Sequence, residues 1–385
     1  MATIVHTPQS HRPRCVDVFC RVIDNLGDLG VCWRLAKILV AQGWRVRLWA
    51  DDTRALVWMA PEQDRAGVQV LDWVSASDPT VLASLAPAEC WIEAFGCELP
   101  EAFVAHAVRT RSQAPEWINL EYLSAEDWVL RMHGLPSPVM SGPAKGWTKR
   151  FVFPGFVQGT GGLLREADLL ERQSRFSAHE WWDGLASLGL KVRPGSLKVS
   201  LFCYEPPALA AWLNVLVRTD APLQVDVLIT PGRAADAWAA ACHQLGLKTL
   251  PPHLKAHALP WLSQIEFDHL LWSCDLNFVR GEDSLARAIW AGRPLVWQLY
   301  PQDDAAHHHK LAAFADIVRW PKNWAQFHAH WNNVLPNELG SPELSYILSD
   351  LLRPESLTAA QKSVEQLRQS LLNMPSLQDQ LFIKP

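Results

Sequence analysis

Two aspartates, Asp24 and Asp28, lie in the segment IDNLGDLG, between the apolar run VDVFCRVI and the amphipathic stretch VCWRLAKILVAQG. In a strand-loop-helix unit this is where a dinucleotide-binding fold cradles pyrophosphate, and the glycines give the chain room to approach a ligand. Two carboxylates facing a diphosphate would repel it. The loop therefore suits a cationic or proton-losing acceptor, with the nucleotide held elsewhere. The alternative is that one aspartate caps the following helix through its N-terminal amides.

A second cluster, VRGEDSLARAIWAGRP, has the opposite character. An apolar run ends at Val279, and Arg280, Glu282, Asp283 and Ser284 lead into a helix ended near Gly292. The amides and dipole at such a helix start suit a diphosphate. Ser284 can donate to phosphate oxygens, and Glu282 or Asp283 can accept from sugar hydroxyls. An ordinary N-cap made by Asp283 or Ser284 would account for those two residues but not for the whole RGEDS cluster. Tyr204 in LFCYEP and Trp261 in LPWLSQ each follow an expected strand, where a ring can stack on a base or pack in the core. YPQDDAAHHHKL has metal-ligand chemistry in Asp303 and His307. Adjacent histidines on a helix point in different directions, however, and no second ligand cluster accompanies them, so no metal site is expected.

The elements that must position these residues follow from apolar period. VDVFCRVI reads as a strand, and Val31, Leu35, Ile38 and Leu39 share one helix face that Gly43 ends. WRVRLWADD, CWIEAFGCELP and EWINLEYLSAEDW continue the alternation expected of a parallel α/β sheet. Between about 135 and 196 Pro and Gly cluster without helical or strand period, in LPSPVMSGPAKGW, GFVQGTGGLL and RPGS, which reads as an interdomain region. LKVSLFCYEPP, VDVLITPG, FDHLLWSCDLNFVRGEDS and PLVWQLYPQDD then form a second series of strands with helical material between them. Near the end, Thr358 and Gln361 make a T-x-x-Q capping box, with Ala360, Val364, Leu367 and Leu371 on one helix face. The expected units are 1–180 and 181–357, with a terminal helix over 358–385 joined to the first.

With 385 residues, 49% of them hydrophobic and 19% charged, the chain has the composition of a soluble globular protein of two domains. A net charge of −5 gives no global positive field for nucleic acid or anionic lipid, so neither nucleic acid nor membrane is an expected partner. No apolar run approaches the roughly 18 residues of a membrane span and the N-terminus has no apolar leader, so a cytoplasmic location is expected. Eight cysteines without CxxC or zinc spacing read as reduced core residues, and the 20 tryptophans as packing. G-x-G-x-x-G, P-loop, H-E-x-x-H and G-x-S-x-G patterns are all missing.

Taken together, CRVIDNLGDLGVCWRLA, INLEYLSAEDW, FVFPGF with GTGGLLRE, FCYEP, and VRGEDSLARAIWAGRP with YPQDD resemble the bacterial protein-arginine rhamnosyltransferase family (EarP), which modifies elongation factor P. The motifs occur in the family's order over nearly the whole chain. The resemblance implies a GT-B glycosyltransferase, two Rossmann-like domains facing a central cleft. It also implies dTDP-β-L-rhamnose as donor and a single arginine of elongation factor P as acceptor, with inversion at the anomeric carbon. The resemblance further implies that the modified factor supports translation of polyproline stretches. By motif, Asp28 corresponds to the general base and Asp24 to its close partner, with Glu282 counted among the catalytic carboxylates. Asp283, Ser284 and Arg280 correspond to donor-site residues, while Tyr204, Trp261, Gln264 and Tyr300 fall where the family lines the thymidine and diphosphate pocket. No cofactor or metal is implied. A glycosyltransferase with a small acceptor, a sugar-nucleotide epimerase on the same fold and a non-catalytic sugar-nucleotide binder are the competing readings.

Overall fold

The computed structural model describes residues 14–23, 27–218, 223–301 and 306–382. Seven strands, β1 (Cys15–Cys20), β2 (Arg45–Ala50), β3 (Val68–Asp72), β4 (Cys90–Ala94), β5 (Glu116–Leu120), β6 (Pro136–Pro138) and β7 (Thr148–Val152), form the first sheet. Their order is β3-β2-β1-β4-β5-β7-β6, parallel except for the final β6–β7 pair. The second sheet, wholly parallel, contains β8 (Leu197–Leu201), β9 (Val225–Ile229), β10 (Leu254–Ala258), β11 (Leu276–Arg280) and β12 (Leu295–Gln298) in the order β10-β9-β8-β11-β12. β1 and β11 are buried along their whole length, as strands covered by helices on both faces must be.

Strand order fixes where ligands can sit. In the first sheet the chain runs outward from β1 to β2 and β3 and then returns to β4, leaving a crevice beyond the C-terminal end of β1. In the second sheet the corresponding reversal lies between β8 and β11. The loops after β1, β8 and β11 are those that carry Asp28, Tyr204 and the RGEDS cluster.

Several elements differ from the sequence expectation. The helix expected from Val31 begins at Gly27 (Gly27–Ala41), which puts Asp28 in its first turn. The Pro- and Gly-rich stretch after residue 135 contributes β6 and β7 to the first sheet; β6 holds two prolines, and only an edge position tolerates them. FDHLLWS belongs to a helix (Gln264–Ser273) started by a Ser263–Glu266 capping box. The Thr358 box is not made: the helix begins a turn earlier, as Pro354–Leu372, and Thr358 Oγ1 donates to Pro354 O at 2.8 Å inside it. That helix buries Ala360, Val364, Leu367 and Leu371 in the core of the second sheet, whereas the short following helix Leu377–Leu381 packs its leucines into the first. All eight cysteines carry free thiols, seven of them buried.

Candidate active site

The first helix points its N-terminus at the gap between the sheets. Asp28 is buried in that first turn and its Oδ2 accepts the amide of Ile23 at 2.9 Å, so the carboxylate clasps the loop that leads from β1. It lines a cleft of about 970 Å³ together with Gly27, Glu121, Tyr122, Glu282, Tyr300 and Lys310. Asp24 lies outside the described residues.

Across the gap, β11 ends at Arg280 and the chain turns through Gly281, whose φ of +64° is the left-handed region where a side chain is disfavoured. The helix Asp283–Ala291 then begins. Neither Asp283 nor Ser284 caps it, and Glu282 at the cap position makes no side-chain cap bond. Ser284 instead tightens the turn: its Oγ accepts the amide of Arg280 at 3.0 Å and donates to the carbonyl of the same residue. Glu282 reaches away from its helix, accepting the amide of Leu123 at 2.7 Å and Lys310 Nζ at 2.9 Å. One glutamate thereby ties the loop after β5 to the second sheet.

A small pocket of about 90 Å³ opens beside the cleft, lined by Trp58, Trp261, Gln264, Arg280, Asp283 and Ser284, with Gly27 on both walls. Arg280 is held by donating to Cys203 O at 2.9 Å and by lying over the rings of Phe202 (4.5 Å) and Tyr204 (4.6 Å). Tyr204 is fully buried and borders neither space; its amide donates to Gln298 Oε1 at 2.8 Å, and its ring meets that of half-exposed Tyr300 edge-on at 5.5 Å. Trp261, 48% exposed, rests 4.4 Å from Trp58 of the short helix Leu56–Met59. Gln264 Nε2 donates to Gly30 O at 2.8 Å across the gap. A Cβ at Gly30 would stand 3.4 Å from Asp283 Oδ2 and 3.5 Å from Gln264 Nε2, ordinary contact distances, so the two walls meet here at van der Waals separation.

The structure thus gathers Trp261, Gln264, Arg280, Asp283 and Ser284 in the pocket and Asp28, Glu282 and Tyr300 in the cleft, with Tyr204 behind both. Two features were not singled out in the sequence. Glu121, half-buried in the cleft, has its carboxyl pushed above the ordinary range by burial, with Asn119 opposing through a 2.8 Å hydrogen bond and Glu93 and Glu282 adding to the rise. Arg34, Glu166, Asp268, Asp283 and Arg287 form a charge network between the two sheets. Burial alone would raise the carboxyl of Glu166, but Arg287 and Arg34 hold it well below the usual range. The available signal was charge at apolar-period positions, in VCWRLAKIL and SLARAIW. Among the described residues no group of His, Cys, Asp and Glu is placed to hold a metal ion, and no helix is long and apolar enough to cross a membrane.

Two parallel Rossmann-like sheets with their reversal points opposed across a cleft define the GT-B glycosyltransferase fold. A Rickettsia africae glycosyltransferase shares this fold, with a TM-score of 0.52 at 9% identity over 96% of each chain. A sequence profile described as Elongation-Factor P (EF-P) rhamnosyltransferase EarP matches residues 16–383. The chain is 47% identical over 310 residues to a protein-arginine rhamnosyltransferase of Pseudomonas putida, covering 77% of this chain and 80% of that one. It also superposes with a TM-score of 0.61 at 29% identity, over 95% of this chain and 96% of the other, on a structure that describes EarP-mediated arginine glycosylation of translation elongation factor EF-P. The chain belongs to the EarP family and is an enzyme of the protein-arginine rhamnosyltransferase class.

Proposed function

We propose that the chain transfers L-rhamnose from dTDP-β-L-rhamnose to one arginine side chain of elongation factor P, with inversion and without a metal ion. The observation that carries this reading is the meeting of cleft and pocket at Gly27, directly before Asp28: an acceptor in the cleft reaches, at the carboxylate that begins the first helix, a sugar nucleotide of which the pocket, at about 90 Å³, takes only a part. Residues 1–180 chiefly serve the acceptor and 181–357 the nucleotide, although Glu282, Tyr300 and Lys310 also line the cleft and Gly27 and Trp58 the pocket.

A guanidinium is a poor nucleophile because its lone pairs are delocalised and its pKa lies above about 12. Carboxylates compensate by gripping it, fixing one nitrogen against the anomeric carbon and taking a proton as the new bond forms. Asp28 is the base, with Asp24 as its companion by family motif. Glu121 stands in the same cleft, where Glu282 is paired with Lys310 Nζ. The guanidinium nitrogen attacks, the bond from anomeric carbon to diphosphate oxygen breaks, its electron pair leaves with dTDP, and the proton passes to Asp28. The leaving diphosphate is met by Arg280, which lines the pocket, and by the amides opening the Asp283 helix, positive potential that makes a cation dispensable. Gln264 and Trp261 complete the nucleotide pocket.

Incubating purified elongation factor P with the enzyme and dTDP-β-L-rhamnose, followed by mass spectrometry of the intact factor and its peptides, tests the proposal. One rhamnosyl group on one arginine is expected; an unmodified factor with the donor consumed rejects the acceptor.

A further inference from the structure

The helix that carries Asp28 also carries Arg34, whose residue is only 4% exposed although its guanidinium is charged. Arg34 Nε donates to Asp283 Oδ1 at 3.1 Å, and Nη1 donates to Glu166 Oε1 at 2.9 Å and stands 3.4 Å from Asp268 Oδ2. From the other side Arg287, on the Asp283 helix, closes on Asp268 at 2.6 Å and Glu166 at 2.8 Å. Arg172 approaches the same two carboxylates from the edge, at 3.9 and 3.5 Å. Asp268 itself is fully buried.

Such a junction is a costly way to hold two helices together. Desolvating several charges consumes much of their mutual attraction, and well-packed apolar residues join helices at least as firmly. What such fixed charge pairs add is a single register: Arg287 grips Asp268 bidentately through Nε and Nη2, and Arg34 reaches Asp283 through Nε while its Nη1 is held by Glu166. The register set here relates Asp283, in the nucleotide pocket, to Arg34 and, through an unbroken helix, to Asp28 about 9 Å along the same axis. The Gln264–Gly30 bond of 2.8 Å joins the same two walls at a point between Asp28 and Arg34.

We infer that Arg34 is a positioning residue for rhamnosyl transfer: by holding Asp283 it sets the distance between Asp28 and the bound donor. The inference rests on the proposed roles of Asp28 and Asp283. Misplacing reacting groups by about 1 Å can lower a rate on the order of 100-fold, so a residue remote from the acceptor can govern turnover.

The test is a double-mutant cycle of Arg34→Lys and Asp283→Asn in the full chain, reading kcat, KM for elongation factor P, donor affinity by calorimetry and melting temperature. Lysine keeps the charge among the carboxylates but cannot span all three. Arg34→Lys is expected to fold, to lose at least about tenfold in kcat, and to keep acceptor KM within about twofold. The double variant should fall no further than about twofold below Asp283→Asn alone. Should the lysine variant not fold, the charge-balanced pair Arg34→Gln with Glu166→Gln takes its place in the cycle. Multiplicative losses, or wild-type kcat in the Arg34 variant, overturn the inference. Unchanged donor affinity in Asp283→Asn removes Asp283 from the nucleotide pocket and so refutes that earlier reading, whatever Arg34 does.

Discussion

Asp28 Oδ2 accepts the backbone amide of Ile23 at 2.9 Å, so the carboxylate that faces the cleft also closes the loop leading from β1. This double engagement separates chemistry from structure in one substitution. An asparagine keeps the shape and its carbonyl oxygen can still accept from Ile23, but it takes no proton and offers no charge to a guanidinium. Asp28→Asn should therefore melt within a few degrees of wild type and bind donor normally, while transfer falls about 10²–10⁴-fold. Single-turnover rates and melting temperature on one preparation check this; near-normal turnover in a folded variant ends the assignment of Asp28 as base.

Ser284 makes the opposite case, because its hydroxyl is already spent on both main-chain groups of Arg280. Removing it frees the turn that aims Arg280 and the helix amides at the pocket. Ser284→Ala should weaken dTDP-rhamnose binding by roughly tenfold and cost about 1 kcal/mol of stability, the loss of a buried hydrogen bond. Calorimetry and thermal unfolding read the two effects separately. Full donor affinity in the variant would place the nucleotide away from this turn.

What the sequence made legible, and what it hid, divides along the same residues. The buried strands around both loops announce themselves because a short, mostly apolar run such as CVDVFC, broken only by Asp17, is how a doubly covered strand reads. The RGEDS cluster was visible as chemistry, yet its local bonding was not: capping was the alternative reading for Asp283 and Ser284, and instead a tertiary contact from Arg34 takes Asp283 while Ser284 bonds the main chain of Arg280 four residues before it. Arg34 and Asp283 are 249 positions apart, and no spacing rule in a single sequence links them. The strand β6 was missed because two prolines in three residues contradict strand propensity everywhere except at a sheet edge.

Positive charge at the leaving group comes from protein in the proposed mechanism, from Arg280 held between Cys203 O and the rings of Phe202 and Tyr204. Transfer measured in excess EDTA should equal that in its absence. Arg280→Gln should lose at least about 100-fold, the order expected for removing a charged donor at a developing anion. Activity abolished by chelator and restored by a divalent cation would refute the metal-free proposal.

Below neutrality the second unit should weaken through a buried histidine. His328 is 1% exposed, its Nδ1 bonds Trp324 O at 2.8 Å, its ring stacks on Trp320 at 4.9 Å, and its Nε2 has no hydrogen-bond partner among the described residues. Burial pushes its pKa down to about 4 despite the opposing bond to Trp324, against an ordinary value of 6.5. A depressed histidine binds its proton more readily in the unfolded chain. Its neutral form thus contributes stability that is complete above pH 6.5 and is lost as the pH falls toward 4. A shift of this size corresponds to about 3 kcal/mol. His133, His269 and His330 move in the same direction, so the slope of the wild-type protein alone does not isolate the group. The difference between wild type and His328→Leu does: from pH 7 to 4.5 the wild type should lose roughly 2 kcal/mol more unfolding free energy than the variant. Parallel pH profiles for the two proteins would show that His328 is protonated in the folded state at its ordinary pKa.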